Sequence, residues 1–176
     1  MSLTHVLKSI DHLSRLLGHA AAQLYLVAAA VTVSEVFARY VLAQPTSWAF
    51  EMALTLCGVA WVISSGYVTL RERHIAITLI EAVASPKMLH RLAILNHLIG
   101  IAAMIILAYA AWGQAASALA LPERSGTGFN STAPTILKTM LFAGAVLYAL
   151  QLTANLVRLV TTGASGPPTP AKDEVK

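Results

Sequence analysis

Uncharged apolar stretches alternate with short polar segments four times along the chain. No Asp, Glu, Lys or Arg occurs from Leu16 to Ser34, Met52 to Leu70, Leu92 to Pro122 or Thr139 to Val157. A hydrocarbon core of ~30 Å is crossed by about 20 helical residues, so each stretch is long enough to span it. The third stretch exceeds that length and is expected to tilt or project before Pro122 ends it. The first keeps its apolar pattern past Glu35 and Arg39 as far as Leu42. The expected spans are therefore about 17–42, 48–70, 90–121 and 134–160.

Ahead of the first span lies a different pattern. At about 100° per residue, Leu3, Val6, Leu7, Ile10, Leu13 and Leu17 fall on one side of a helix. His5, Lys8, Asp11, His12, Arg15 and His19 fall on the other. Residues 3–15 are thus expected to form an amphipathic helix in the membrane interface, its cations drawn to anionic lipid. A basic start, an apolar stretch and small residues at Ala28, Ala29 and Ala30 also resemble a cleaved signal peptide. The apolar run continues past those alanines, which favours an uncleaved span. After Thr162 the tail GASGPPTPAKDEVK is rich in proline, glycine and charge, so residues 163–176 are expected to be disordered. The fold class that follows is all-α: an integral membrane four-helix bundle over residues 1–162 with an N-terminal interfacial amphipathic helix.

Composition agrees with lipid as the surrounding solvent. Hydrophobic residues make up 57% and charged residues 11%, about half the charged share of a soluble domain. The net charge of +4 does not indicate nucleic acid, because the basic residues are scattered singly or in pairs. Their distribution instead sets topology. Lys8, Arg15, Arg71, Arg73, Lys87, Arg91, Arg158, Lys172 and Lys176 fall on one side of four spans, and only Arg39, Arg124 and Lys138 on the other. That asymmetry places both termini in the cytoplasm. A lone cysteine, Cys57, excludes an internal disulfide or a CxxC motif and reads as a small hydrophobe.

Charge close to the membrane is the natural place to look for chemistry. Glu35 and Arg39 share a helix face, and the short connection through Pro45 brings Trp48 and Glu51 to a similar depth. The expected arrangement has Arg39 flanked by both carboxylates. Such a cluster either binds a cation or relays a proton, or it neutralises itself and staples two helices; its place near the interface favours the staple. Tyr40 and Trp48 read as interfacial anchors.

Haem ligation is a second possibility for a four-span protein with six histidines. His5, His12 and His19 lie on the wet side, however, and His74 and His90 in a connection. Only His97 is within a span, so no facing pair emerges and no cofactor or metal is expected. Gly100, Ala102, Ala103, Ala110, Ala111, Gly113, Ala115, Ala116, Ala118, Gly144 and Ala145 offer small surfaces for helix packing. Ser64, Ser65 and Gly66 form a polar path, or the hydroxyls bond back to helix carbonyls; the second is favoured.

The stretch EVFARYVLAQPTSWAFEMALTLCGVAWVISSGYVTLRERHIAI, from Glu35 to Ile77, resembles the small permease subunit of TRAP transporters (tripartite ATP-independent periplasmic transporters, the DctQ family). The resemblance lies in Phe37, Arg39 and Tyr40 at the end of the first span and Trp48 and Glu51 at the start of the second. Trp61, Gly66, Arg73 and His74 follow in order. The second half of the chain is similar only in outline, and the loop from Leu121 to Pro134 carries no recognisable motif. The resemblance implies a non-enzymatic scaffold in a bacterial inner membrane. Its implied partners are a large permease subunit and a periplasmic solute-binding protein, in sodium-coupled import of an organic acid such as a dicarboxylate. Glu35, Arg39, Tyr40, Trp48, Glu51, Trp61, Gly66, Arg73 and His74 become candidate structural or interface residues. The rivals are a haem-binding electron-transfer subunit and a self-sufficient small transporter or channel.

Overall fold

Between Leu3 and Tyr40 there is no proline and a single glycine, Gly18. In the computed structural model, which describes residues 3–71 and 85–162, this segment is one uninterrupted helix, α1 (Leu3–Tyr40, 38 residues). At 1.5 Å per residue it is about 57 Å long, nearly twice a hydrocarbon core. The expected interfacial helix at 3–15 is therefore not a separate element but the first turns of α1. No breaker separates the two patterns, so the backbone hydrogen-bond ladder runs on. The tail 163–176 and the pair Arg73 and His74 lie outside the described residues.

Among the described residues three further helices follow: α2 (Ala49–Leu70), α3 (Pro86–Ala120) and α4 (Ala133–Thr162). Their ends follow local chemistry. Ala43, at φ 56°, and the following Pro45 turn the chain after α1. Ser85 caps α3, its hydroxyl accepting from Met88 N at 3.4 Å with Pro86 in the first turn. Pro122 stops α3 one residue beyond Leu121, whose N–H still donates to Ser117 O at 2.9 Å.

The interior is built from small side chains. Its buried apolar residues are mostly alanines, among them Ala21, Ala28, Ala60, Ala115, Ala145 and Ala154. The large apolar residues point outward: Leu26, Val33, Phe50, Trp61 and Tyr109 are all more than 60% exposed. A water-soluble bundle has the opposite arrangement. Small interior residues let backbones approach where lipid is as apolar as leucine. All four helices are long and apolar enough to cross a membrane.

Two hairpins, α1 with α2 and α3 with α4, join mainly through α2 against α4. Gly144 lies under Val62, so a Cβ there would overlap a stiff β-branched side chain. Helix α3 rests on α4 through Ala111, Ala115 and Ala118, one stripe at helical spacing, and through Trp112 beside Phe142, ring centroids 5.1 Å apart. The expected packing residues Ala102, Ala103, Ala110 and Gly113 lie instead on the exposed side of α3. Periodicity explains the split, because one α4 neighbour needs a single stripe and the alanines encircle the helix. Cys57 is exposed.

These contacts predict opposite outcomes for two glycines. Gly144→Ala should lower the melting temperature of the detergent-solubilised chain, at a cost of ~1–3 kcal/mol from overpacking. Gly113→Ala, with nothing within 4 Å of the new methyl, should be neutral or stabilising by up to ~1 kcal/mol. Thermal denaturation followed by tryptophan fluorescence compares the two.

Candidate functional site

Polar side chains gather at the two ends of the bundle. At one end, Arg39 ends α1 and its Nη2 meets Glu35 Oε1 at 2.7 Å. The other Glu35 oxygen accepts from Thr46 in the α1–α2 connection, from Oγ1 at 2.5 Å and from N at 3.2 Å. Glu35 thereby ties the end of α1 to the entrance of α2.

Glu51 does not join this cluster. The expected flanking of Arg39 by two carboxylates is replaced by a different use of Glu51, in the first turn of α2. Its side chain is buried beneath the α3–α4 loop. Oε1 accepts from Ser125 Oγ at 3.0 Å, and Oε2 accepts from Ser131 N at 3.2 Å and from Ser131 Oγ. A buried carboxylate needs either a cation or several donors, and this loop supplies three. The loop is itself closed by Ser125 N donating to Ser131 O at 2.9 Å, with Gly126 at φ 71° and Asn130 at φ 52° making the turn. Arg124 Nη1 donates to Asn130 O at 3.0 Å, and Lys138 on α4 pairs with Glu123 at 2.6 Å. One carboxylate of α2 thus fixes the α3–α4 connection to the α1–α2 hairpin.

At the opposite end a second network joins three helices. Asp11 on α1 meets Arg158 Nη2 on α4 at 2.6 Å. Gln151 is fully buried; its Nε2 donates to Asp11 Oδ1 at 3.2 Å and to Asn155 Oδ1 at 3.1 Å. Ser14 Oγ donates to Gln151 Oε1 at 2.6 Å, and Asn155 Nδ2 donates to Thr69 O of α2 at 2.9 Å. Gly66 makes room for this network, since a Cβ there would lie 3.1 Å from Ser14 Oγ. Asp11 was placed by periodicity on the wet face of an interfacial helix; it is buried instead, because α4 offers Arg158 and Gln151.

The aromatic candidates lie at the surface. Tyr40 and Trp61 are highly exposed and Trp48 partly so. Ser64 and Ser65 donate to the carbonyls of Trp61 and Val62, so their hydroxyls serve the helix rather than a polar path. His97 Nδ1 lies 2.8 Å from Ala93 O, while His5, His12 and His19 are on the exposed side of α1. Among the described residues no three or more metal-ligating side chains cluster.

Sequence reasoning passed over Ser125, Ser131, Gln151, Asn155 and Arg158. The last three carried a signal: polar side chains at i, i+4 and i+7 on one face of an otherwise apolar helix. The serines carried none, because loop residues recruited by a distant carboxylate have no local pattern.

A bundle that turns its large apolar side chains outward and engages its carboxylates internally is built to span a membrane. The chain belongs to the DctQ family: the family model for tripartite ATP-independent periplasmic transporters, DctQ component, matches residues 28–162. That match covers Glu35, Glu51 and the whole loop, and begins after Asp11 and Ser14. No curated protein and no solved structure matches the chain.

If Glu51 holds the loop, Glu51→Gln should loosen it selectively. The amide keeps the shape but weakens charge-assisted bonds and faces donors with its own N–H. Amide hydrogen exchange of residues 123–132 should accelerate about tenfold or more, with α1 unchanged. Unaltered exchange in the loop would show that Glu51 does not restrain it.

Proposed function

We propose that this chain is the small membrane subunit of a TRAP-type, sodium-coupled importer of an organic acid. It scaffolds the large permease subunit and helps dock the periplasmic solute-binding protein. It sits in a bacterial inner membrane with both termini cytoplasmic, an orientation supported by the nine-to-three division of lysine and arginine.

The observation that carries this reading is the disposition of charge. All four carboxylates among the described residues, Asp11, Glu35, Glu51 and Glu123, are engaged by partners within the chain. Residues that stay engaged in this way hold helices together rather than a travelling ion or solute. Helix α3, by contrast, buries none of its most apolar stretch inside the bundle. A surface of that kind calls for lipid or another membrane protein over it. The Glu51-held loop lies at the end assigned to the periplasm, as a docking role requires. The family is one of transporter components, not of enzymes.

Uptake into proteoliposomes tests the proposal. Labelled organic acid should enter against a concentration gradient only when the large subunit, this chain and the binding protein are all present with inward-directed sodium. This chain alone should give no flux, and flux from it alone would contradict the proposal. Arg39→Glu adds a second readout. Its ion pair with Glu35 is partly exposed and screened by solvent, so it contributes little to the isolated chain. Yet the reversal sets two carboxylates side by side at the surface and should sharply reduce co-purification with the large subunit.

A further inference from the structure

The withdrawal of Asp11 into the bundle changes the outer face of α1. His5, Lys8, His12, Arg15 and His19 recur at alternating steps of three and four residues, within an arc of about 80°. All five are exposed. Asp11 and Glu35 are the only acids of α1; Glu35 is at the far end, and Asp11 is turned toward Arg158 and Gln151. What periodicity presents as a mixed-charge face is therefore, in the fold, a purely basic stripe.

Depth singles out part of this stripe. Arg15 precedes Glu35 by five and a half helical turns, about 30 Å, which is the thickness of a hydrocarbon core. With Glu35 and Thr46 at one boundary, Arg15 and His19 stand at the other. Here His19 adjoins an aromatic post. Tyr67 of α2 is pressed against α1 where Gly18 lacks a side chain. The His19 ring lies 6.2 Å from the Tyr67 ring, and the Arg71 guanidinium lies 5.4 Å from the same ring. His19 is oriented by its Nδ1 contact with Arg15 O at 2.7 Å. Leu16, next to Arg15, is 60% exposed.

We propose that Arg15 and His19, beside Tyr67, form a binding site for the headgroup of an anionic phospholipid. Lys8 and His12 extend its attraction outward. The Arg15 guanidinium meets the phosphate, the His19 ring adjoins it, and the exposed Leu16 offers apolar surface to the lipid. A headgroup fits better than free phosphate because cation and apolar surface adjoin at the boundary depth. Each Lys or Arg at such a surface contributes roughly fivefold in affinity for anionic lipid. The site depends on the bundle spanning a membrane, and not on its pairing with a large subunit or on the leaflet it faces.

Native mass spectrometry of the full chain in neutral detergent tests this. Phosphatidylglycerol and phosphatidylcholine of identical acyl chains are offered in competition. The wild-type chain should retain phosphatidylglycerol about fivefold or more over phosphatidylcholine, and excess inorganic phosphate should not displace it. Arg15→Gln with His19→Gln should abolish the preference. Arg15→Lys, which keeps the charge, and Lys87→Gln, which removes an exposed charge at the start of α3, should both retain it. Equal retention of the two lipids by the wild-type chain would overturn the proposal, as would a preference that survives the double substitution. Circular dichroism checks that the double variant folds; if it does not, Arg15→Gln alone carries the same comparison.

Discussion

Lipid offers no hydrogen bonds, and that constraint governs the whole structure. Each polar group within the bundle must find its partner inside the protein. Gln151 shows the consequence most clearly, fully buried between α1 and α4 and bonded to Ser14, Asp11 and Asn155. Glu51 does the same at the other end with two serines of the loop. Between these ends the buried side chains are mostly small, among them Ala28, Ala60, Ala115 and Ala145, and they bring helices close while specifying register only weakly. The terminal networks supply the register, because their bonds form in one alignment only.

Much of this was legible in the sequence, and for a physical reason. The spans show because an apolar stretch of bilayer length is a local property, and four of them stand out between charged connections. The pairing of Glu35 with Arg39 shows because residues four apart share a helix face. Two features did not show. The burial of Asp11 depends on α4 presenting Arg158 to it, a contact 147 residues away in sequence. The use of Glu51 depends on a loop whose serines acquire meaning only once the fold brings them under α2. Proximity in sequence suggested Arg39 as its partner; the fold supplied Ser125 and Ser131.

This division of labour fits a component of a larger transporter. The polar residues fix the internal geometry of the chain, and the apolar exterior is left to lipid and to other subunits. Helix α3, anchored along one alanine stripe, and the exposed aromatic Trp61 and Tyr109 belong to that exterior. The loop held by Glu51 gives its end of the bundle a fixed shape instead of a mobile one.

The central claim is that the outward apolar face of the bundle meets hydrocarbon. A chain retaining Trp61 as its sole tryptophan, reconstituted into vesicles, tests it directly. Trp61 is 75% exposed near the middle of α2. Its fluorescence should be quenched strongly by lipids brominated along the acyl chains and hardly at all by aqueous iodide. Strong quenching by iodide, with the brominated lipids without effect, would contradict the account.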